Sequence, residues 1–217
     1  MNSTPLVGIL GGTFDPIHSG HLAMASFAHS QLALSKVLLV PAGSPWQRQP
    51  RAAAKDRLQM TRLAAMGHPF IEVDTREIER LTPTYTIDTL EELRQQYASD
   101  QRFCLILGTD AFLNLPTWKE WTRILELTHI AVLCRPGFDF VENQLPIPLR
   151  PVWSERHCTP EHLTGREGQI VRLDMPPVPV SSTQIRHALA HSLPCPEGLL
   201  PSSVWNYIDS HHLYRSA

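Results

Sequence analysis

Two histidines near the amino terminus stand in a setting suited to binding an anion. Residues 9–21 read I-L-G-G-T-F-D-P-I-H-S-G-H, in which an apolar run leads into two glycines and then into a helical pattern. The glycines allow a ligand to approach the backbone, and a helix start offers unpaired N–H groups to an anion. His18 and His21 share one helical face if the first turn begins near Ser19. The segment predicts a cradle in which two imidazoles stabilise charge on a phosphoryl group.

A second signal lies near the other end of the chain, where residues 180–186 read V-S-S-T-Q-I-R. Serine and threonine at a helix start cap its N–H groups or bind phosphate. Arg186, three positions beyond Thr183, offers a bidentate fork to phosphate oxygens. Alone, this pattern favours a helix cap over a ligand site. It follows the last predicted strand, however, where an α/β sheet presents the carboxyl ends of its strands to ligands.

The composition is that of a globular protein and limits the ligands. The 217 residues include 19 Lys and Arg against 21 Asp and Glu, which gives a net charge of −2 and argues against a broad basic face for nucleic acid. The only lysines, Lys36, Lys55 and Lys119, complete no P-loop pattern. The length predicts a single domain over residues 1–217.

Targeting and cysteine patterns favour a cytoplasmic protein with no membrane partner. The amino terminus has no positive region before an apolar stretch, and no apolar run approaches the roughly 20 residues that span a bilayer. The four cysteines form no C-x-x-C pair, which favours buried reduced thiols. His157, Cys158 and His162 allow an alternative, a zinc site, although no convincing fourth ligand accompanies them.

The elements that must position these residues alternate between two kinds. Short runs rich in Val, Ile and Leu without polar alternation are typical of strands covered on both faces, and segments of helical period separate them. This order predicts β-α units around a parallel sheet flanked by helices. The predicted strands are 6–10, 37–40, 70–74, 102–107, 129–134 and 170–173, and the predicted helices are 20–34, 55–65 and 86–97.

Three further segments complete the organisation. Residues 41–54 form a loop too long for a simple connection, and residues 135–168, with five prolines, are expected to form an irregular insertion. Residues 181–213 are expected to form a helical segment at the carboxyl end. Within 55–65, the helical period predicts a core face made of Leu58, Met60 and Leu63.

Several motifs together resemble one enzyme family. Residues 11–21 resemble the extended histidine motif G-G-T-F-D-P-I-H-x-G-H of bacterial nicotinate mononucleotide adenylyltransferases, and residues 180–186 resemble the phosphate-binding I-S-S-T-x-I-R motif of the nucleotidyltransferase superfamily. Three segments resemble the family's S/T-Y-T-x-x-T-L, G-x-D and P-x-W segments: 84–90, 108–110 and 116–118. The resemblance is colinear from Gly8 to Tyr214. It implies a Rossmann-like nucleotidyltransferase fold.

The resemblance also implies site residues. His18, His21 and Arg186 would be catalytic, and Gly12, Thr13 and Phe14 would contact the substrate phosphate. The implied ATP-binding residues are Gly11, Gly12, Thr13, Phe14, His18, His21, Gly108, Asp110, Ser182, Thr183, Ile185 and Arg186. The implied nicotinate mononucleotide-binding residues are Thr13, Arg48, Tyr85, Thr86, Trp118 and Lys119. Trp118 would stack on the nicotinate ring, although a lone tryptophan is more often a core residue.

One position departs from the family pattern. Many relatives carry P-P-H-K or P-P-H-R after the second strand, whereas this chain reads Ser44-Pro45-Trp46-Gln47-Arg48. Gln47 cannot carry a positive charge but keeps an amide donor, and Arg48 keeps the cation. This loop position is therefore expected to tune substrate binding without defining the reaction.

The implied reaction joins ATP to nicotinate mononucleotide and releases pyrophosphate and deamido-NAD, with Mg²⁺ held mainly by the ATP phosphates. One alternative is another small nucleotidyltransferase, acting on phosphopantetheine or a cytidylyl acceptor. An aminoacyl-tRNA synthetase shares H-x-G-H, but this chain lacks the K-M-S-K-S partner motif and a basic excess. A non-catalytic nucleotide-binding regulator is the alternative from another class.

Overall fold

The computed structural model describes residues 4–46, 49–80, 82–134, 142–191, 193 and 198–215. Within these residues seven strands form one sheet in the order β3-β2-β1-β4-β5-β7-β6. The strands are β1 (Leu6–Gly12), β2 (Lys36–Pro41), β3 (Ile71–Val73), β4 (Arg102–Gly108), β5 (His129–Cys134), β6 (His157–Cys158) and β7 (Ile170–Asp174). All six strands predicted from the sequence are present, with bounds that differ by at most two residues.

The sheet is parallel where its register is defined. β1 pairs with β4, β4 with β5, β5 with β7 and β6 with β7, each in parallel, and the register places Gly8 of β1 opposite Cys104 of β4. Every residue of β5 is buried, as expected for a strand covered on both faces. β1 and β4 both end in glycine, which places Gly12 and Gly108 at the carboxyl ends of neighbouring strands.

α-Helices separate successive strands along the chain as far as β6, and a short 3-10 helix, Pro160–His162, lies between β6 and β7. The α-helices are α1 (Ser19–Gln31), α2 (Ala54–Ala65), α3 (Arg76–Glu79), α4 (Thr86–Gln96), α5 (Thr109–Leu113), α6 (Trp121–Ile124), α7 (Leu149–Arg156), α8 (Ser182–Ala190) and α9 (Ser202–Ser210). Among the residues that the structure describes, no helix is both long enough and apolar enough to cross a membrane.

The chain forms two compact units, each assembled from segments that are distant in sequence. Unit 1 comprises Met1–Leu10, Met24–Leu38 and Tyr85–Pro177. Its core includes Leu90 and Leu93 of α4, whose side chains are both buried.

Unit 2 comprises Gly11–Ala23, Leu39–Thr84 and Val178–Ala217. In this unit α9 packs on α2, where Tyr207 Oη donates a hydrogen bond to Asp56 Oδ1 at 2.9 Å. The apolar side chains of Val204 and Ile208 are buried on α9.

The buried face of α2 differs from the predicted one. Met60 is buried as predicted, but Leu58 and Leu63 are only half-buried. The other buried residues are Arg57, Thr61 and Ala64. The spacing of apolar residues does not predict that Arg57 is buried, because the burial of an arginine depends on hydrogen-bond partners elsewhere in the chain.

The segment 135–168 is more regular than expected where the structure describes it, from residue 142 onward. It contains α7 and the short strand β6. Two prolines are compatible with this helix because Pro148 is its N-cap and Pro151 lies in its first turn, where no intrahelical partner awaits the missing N–H. The carboxyl-terminal segment 181–213 contains α8 and α9, with residues 192 and 194–197 outside the described residues.

Candidate active site

The loop between β1 and α1 is shaped by a glycine and a phenylalanine. Phe14 has a φ of +49° and is buried. A Cβ added at Gly12 would lie 2.6 Å from Phe14 Cε1, so only glycine leaves room for the ring in this conformation. At Gly11 the nearest atom to an added Cβ would be Val40 O at 4.0 Å, which leaves this backbone open to approach. Thr13, which follows the two glycines and precedes Phe14 in the sequence, is half-buried.

The two histidines are stacked at the head of α1. Their ring centroids are 3.8 Å apart with an interplanar angle of 26°, as the three-residue spacing predicted. The backbone N–H of His18 donates to His21 Nδ1 at 3.2 Å. A neutral imidazole that accepts at Nδ1 carries its proton at Nε2, so His21 presents an Nε2–H donor. His18 is buried, whereas His21 is half-buried.

Gly20, between these histidines, fits a crowded position. A Cβ there would lie 2.8 Å from Val180 Cγ1 and 3.1 Å from His18 Cε1. The spacing H-x-G-H therefore brings the first turn of α1 close to the segment that precedes α8, within unit 2.

The start of α1 offers fewer N–H groups than the sequence suggested. The Ser19 N–H donates to Leu199 O at 2.9 Å, and the His21 N–H donates to His18 O at 2.9 Å. The expectation that the first N–H groups are unpaired is therefore wrong for these two residues. Binding of an anion here depends more on the side chains and on the dipole of the helix.

The start of α8 combines a helix cap with contacts to the same loop. Ser181 is the N-cap, and its Oγ accepts from Gln184 N at 3.2 Å. Ser182 Oγ donates to Pro16 O at 3.0 Å, although the two residues are 166 positions apart in the chain. The cap favoured by the sequence pattern is present. The next residue, Ser182, connects it to residues 13–18 between β1 and α1, here called the histidine loop.

Arg186 is directed onto the histidine loop. Its Nη1 donates to Asp15 O at 2.7 Å and lies 3.8 Å from Asp15 Oδ2. Its Nη2 donates to Thr183 Oγ1 at 3.1 Å. These contacts unite the two predicted phosphate motifs within unit 2. The side chain of Ile185 is buried, so any contact with a nucleotide would fall to its backbone.

Asp15 is a buried carboxylate to which the sequence analysis gave no role. Its Oδ2 accepts from Arg51 N at 2.7 Å, and its Oδ1 accepts from Ala52 N at 3.0 Å. Tyr214 Oη also donates to Asp15 Oδ1, at 2.9 Å. Burial, followed by the neighbouring Asp15 carboxylate, raises the pKa of Tyr214 and keeps its hydroxyl protonated. The position of Asp15 inside the histidine motif was the only signal in the sequence.

Arg57 of α2 is a second residue that sequence reasoning missed. Its side chain is buried, and Nη1 donates to Thr13 O at 2.7 Å and to Ala42 O at 2.5 Å. Nη2 donates to Gly43 O at 2.9 Å. Burial lowers the pKa of Arg57, and Asp15 opposes this shift. The guanidinium thus joins the histidine loop to the segment that follows β2.

In unit 1, two of the predicted ATP-binding residues, Gly108 and Asp110, lie where β4 ends. Gly108 ends the strand and is the N-cap of α5, and Asp110 lies exposed in the first turn of this helix. Thr109 between them is buried, and its Oγ1 donates to Leu133 O at 3.4 Å.

The residues predicted to bind nicotinate mononucleotide lie near the start of α4 in unit 1. Tyr85 is the N-cap of this helix, and Thr86 is its first residue. Lys119 Nζ lies 5.0 Å from the centroid of the Tyr85 ring and donates to Asp88 Oδ1 at 2.8 Å. The hydrogen bond to Asp88 raises the pKa of Lys119. Asp88 was not among the predicted site residues.

Trp118 precedes this lysine and is partly buried. Its Nε1 atom is buried and has no hydrogen-bond partner among the described residues. A buried indole N–H usually finds an acceptor, so this donor suits a bound polar group. Arg48 and Gln47, the predicted substrate contact and the departure from the family pattern, lie outside the described residues.

The alternative zinc site gains no support from the structure. Over the described residues, no group of three or more His, Cys, Asp or Glu side chains could hold a metal ion. The His157 ring stacks on Trp153 with centroids 4.2 Å apart, and His162 Nδ1 lies 2.9 Å from Thr159 Oγ1.

Comparison with known proteins defines the class of this protein. Residues 9–188 match the cytidylyltransferase-like family model, which places the chain among the nucleotidyltransferases. A relative from Pseudomonas aeruginosa, named "Probable nicotinate-nucleotide adenylyltransferase", is 42% identical over 212 residues and 97% of both chains. A relative of the same name from Pseudomonas fluorescens is 43% identical, again over 97% of both chains. The chain therefore belongs to the nicotinate-nucleotide adenylyltransferase family.

A solved structure shows the same fold. The Plasmodium falciparum nicotinic acid mononucleotide adenylyltransferase complexed with NaAD has a TM-score of 0.74 to this chain, with 17% identity and 97% of both chains covered. The predicted family, the Rossmann-like nucleotidyltransferase fold and the class of enzyme are thereby confirmed. The roles assigned to individual residues stay predictions.

Proposed function

We propose that this chain transfers the adenylyl group of ATP to nicotinate mononucleotide, giving deamido-NAD and pyrophosphate. The names of the relatives support the reaction. The observation that carries the assignment of residues is the union of the two phosphate motifs. Arg186 binds the loop that leads into α1, and His18 and His21 stack where this loop meets the helix. Imidazole and guanidinium donors brought together within one unit suit a triphosphate.

The chemistry requires little beyond positioning and charge stabilisation. The attacking group is a phosphate oxygen that is already anionic near neutral pH, so no general base is needed. Catalysis then depends on aligning two anions that repel each other and on stabilising charge on the α-phosphoryl group and the leaving pyrophosphate. We assign this stabilisation to the Nε2–H of His21, to His18 and to the guanidinium of Arg186.

The remaining assignments divide between the two units. In unit 2, the proposed contacts with phosphate are the backbone of Gly11, Gly12, Thr13 and Phe14 and the start of α8 at Ser182, Thr183 and Ile185. In unit 1, Gly108 and Asp110 are assigned to adenosine. Tyr85, Thr86, Trp118 and Lys119 are assigned to nicotinate mononucleotide, and Arg48 keeps its assignment from the sequence.

We propose that Mg²⁺ arrives bound to the phosphates of ATP. The ion prefers oxygen ligands and keeps much of its water, so the triphosphate and water can supply its coordination. We assign no metal contact to Asp15, the acidic residue of the histidine loop, because its oxygens already serve as acceptors for Arg51 N, Ala52 N and Tyr214 Oη. The mechanism therefore contains no step on a metal held by the protein.

A cytoplasmic location and small-molecule partners complete the proposal. Cys104 is a buried free thiol, as in a reducing compartment. The nearly balanced charge supports small nucleotide substrates rather than nucleic acid.

The reaction is tested by pyrophosphate release from ATP with nicotinate mononucleotide, nicotinamide mononucleotide and phosphopantetheine as separate acceptors. We expect turnover with nicotinate mononucleotide and the appearance of deamido-NAD. Turnover with phosphopantetheine alone would contradict the proposal. The absence of turnover with every acceptor would favour a non-catalytic nucleotide-binding protein.

The role of His21 is tested by His21→Asn. An asparagine oxygen can replace Nδ1 as the acceptor of the His18 N–H, but the variant loses the Nε2–H donor. We expect kcat to fall by about 10²–10³-fold, the usual cost of one donor to a transition-state charge, while the thermal midpoint stays close to that of the wild type. His18→Ala is a poorer test, because His18 is buried and its removal also leaves a cavity. A kcat within threefold of the wild type in His21→Asn would refute this role.

A further inference from the structure

The carboxyl-terminal end of the described chain holds a tyrosine against the histidine loop. Tyr214 lies 199 positions from Asp15, yet its Oη is 2.9 Å from Asp15 Oδ1. Tyr214 has a φ of +64°, a left-handed conformation that costs a residue with a side chain free energy. Such a conformation persists where contacts of the side chain impose it. The chain end is therefore folded back to make this hydrogen bond.

Asp15 connects this tyrosine with a proposed catalytic residue. The carboxylate accepts from the backbone N–H groups of Arg51 and Ala52 and from Tyr214, and it is 6% exposed. Three donors in a buried setting fix the orientation of the carboxylate and of the residue that carries it. The backbone carbonyl of the same residue accepts from Arg186 Nη1 at 2.7 Å.

The guanidinium keeps capacity for a substrate in this arrangement. An arginine has five N–H donors, so its hydrogen bonds to Asp15 O and Thr183 Oγ1 do not exhaust them. The Asp15 carbonyl thus sets the plane of the guanidinium and leaves other N–H groups for phosphate oxygens. Displacement of Asp15 would tilt the plane and spoil bidentate binding.

We propose that Tyr214 is a positioning residue for adenylyl transfer: its hydroxyl fixes Asp15, and Asp15 in turn orients Arg186 towards the phosphates of ATP. This inference rests on the proposed function of Arg186. Tyr214 itself contacts no reacting atom, so its effect should fall on the use of ATP. The affinity for nicotinate mononucleotide should change much less.

The chain offers a matched control for the loss of the hydroxyl. Tyr207 Oη donates to Asp56 Oδ1 at 2.9 Å, the same distance as in the Tyr214 pair. Both tyrosines belong to unit 2, but Asp56 lies on α2 rather than on the histidine loop. Tyr207→Phe therefore removes a tyrosine–aspartate hydrogen bond of the same length that has no proposed connection with Arg186.

The experiment compares Tyr214→Phe with Tyr207→Phe in steady-state kinetics, each well below its own thermal midpoint. In Tyr214→Phe we expect kcat/KM for ATP to fall about tenfold, because Arg186 then loses part of its alignment with the phosphates. The KM for nicotinate mononucleotide should stay within about twofold of the wild type. In Tyr207→Phe both parameters should stay within about twofold.

A double-mutant cycle with Arg186→Lys tests the connection to Arg186. A lysine keeps the charge but lacks the planar fork, so it gains little from being oriented. We expect Tyr214→Phe to lower kcat/KM for ATP by less than about threefold in this background, measured with radiolabelled ATP so that slow turnover is resolved. An equal factor in both backgrounds would overturn the proposal. Equal losses in the two tyrosine variants would also overturn it.

The proposed function and this inference fail in different ways. A wild-type protein that releases no pyrophosphate with nicotinate mononucleotide would overturn both. Wild-type turnover together with an unchanged Tyr214→Phe variant would overturn only the role of Tyr214.

Discussion

The proposed phosphate residues in unit 2 and the proposed nicotinate residues in unit 1 are held by contacts of opposite character. Around the histidine loop the more deeply buried cation is Arg57, which is 1% exposed and donates to backbone carbonyls of the described residues. Near the start of α4 the cation is Lys119, whose side chain is 43% exposed and bonds Asp88, itself 31% exposed. One arrangement is buried and directed at the backbone, and the other is a surface ion pair.

This difference matches the demands of the two parts of the proposed reaction. Alignment of two repelling phosphates requires fixed geometry, and a misplacement of about 1 Å costs much of the rate. Buried hydrogen bonds supply such geometry because breaking them exposes unpaired polar groups. An aromatic ring can instead be held by stacking, which tolerates small shifts. A surface ion pair, screened by solvent and salt, is then sufficient to adjust the charge nearby.

The largest effect is expected from Arg57→Met. Methionine keeps an apolar stem but removes the donors to Thr13, Ala42 and Gly43, whose carbonyls lose their buried partner. We expect the free energy of unfolding to fall by about 3 kcal/mol and kcat/KM for ATP to fall with it. Urea denaturation followed by circular dichroism measures the change.

Arg62→Met is the control for Arg57→Met, because Arg62 is exposed on the same helix. It should alter stability by less than about 0.5 kcal/mol. If the two variants lost equal stability, the buried hydrogen bonds of Arg57 would not be what stabilises the histidine loop.

Arg57 also shows what the sequence could not reveal. The apolar spacing in α2 correctly predicted a helix over nearly the observed residues, since the period depends on local sequence. The buried face includes Arg57, however, because carbonyls from two distant segments satisfy its guanidinium. The contact between Tyr214 and Asp15 is equally non-local. Such partners are brought together by the tertiary fold, so no periodic pattern in the sequence reveals them.

The stacked histidines are the opposite case. His18 and His21 are three positions apart at a helix start, so local geometry alone brings their rings together. The six main strands were predicted for a similar reason, because each is one apolar run. The short helices α5 and α6 and the two-residue strand β6 are too brief to show a period.

The second effect is a pH dependence of folding stability that arises from a buried histidine in unit 1. His129, the first residue of β5, is fully buried, and its Nδ1 accepts from Gln169 N at 3.3 Å. Burial, followed by the charge of Arg102, lowers the pKa of His129 from 6.5 to about 4. The unfolded chain therefore binds a proton between pH 6.5 and 4 that the folded chain does not bind, so stability falls as the pH falls through this window.

The loss across this window should be about 3 kcal/mol and should cease below the folded pKa, where both states are protonated. Urea denaturation of the wild type and of His129→Gln at intervals from pH 7 to 4 measures it. Glutamine offers an acceptor to Gln169 but does not titrate, so the difference between the two proteins should shrink as the pH falls. A difference that is constant across these pH values would contradict a buried neutral His129.

The smallest effect is expected at the surface ion pair of unit 1. Lys119→Met removes the charge above the Tyr85 ring and the hydrogen bond to Asp88 but keeps most of the stem. We expect the KM for nicotinate mononucleotide to rise by less than about fivefold, with the unfolding midpoint unchanged, because an exposed charge is screened.

Raising the salt concentration to about 0.5 M should narrow the gap in KM between the variant and the wild type, since the Debye length then falls well below 10 Å. The loss of stability in Arg57→Met should be unchanged at this salt concentration, because the hydrogen bonds that Arg57 makes are buried. A Lys119→Met variant that lost as much stability as Arg57→Met would remove the contrast between the two units.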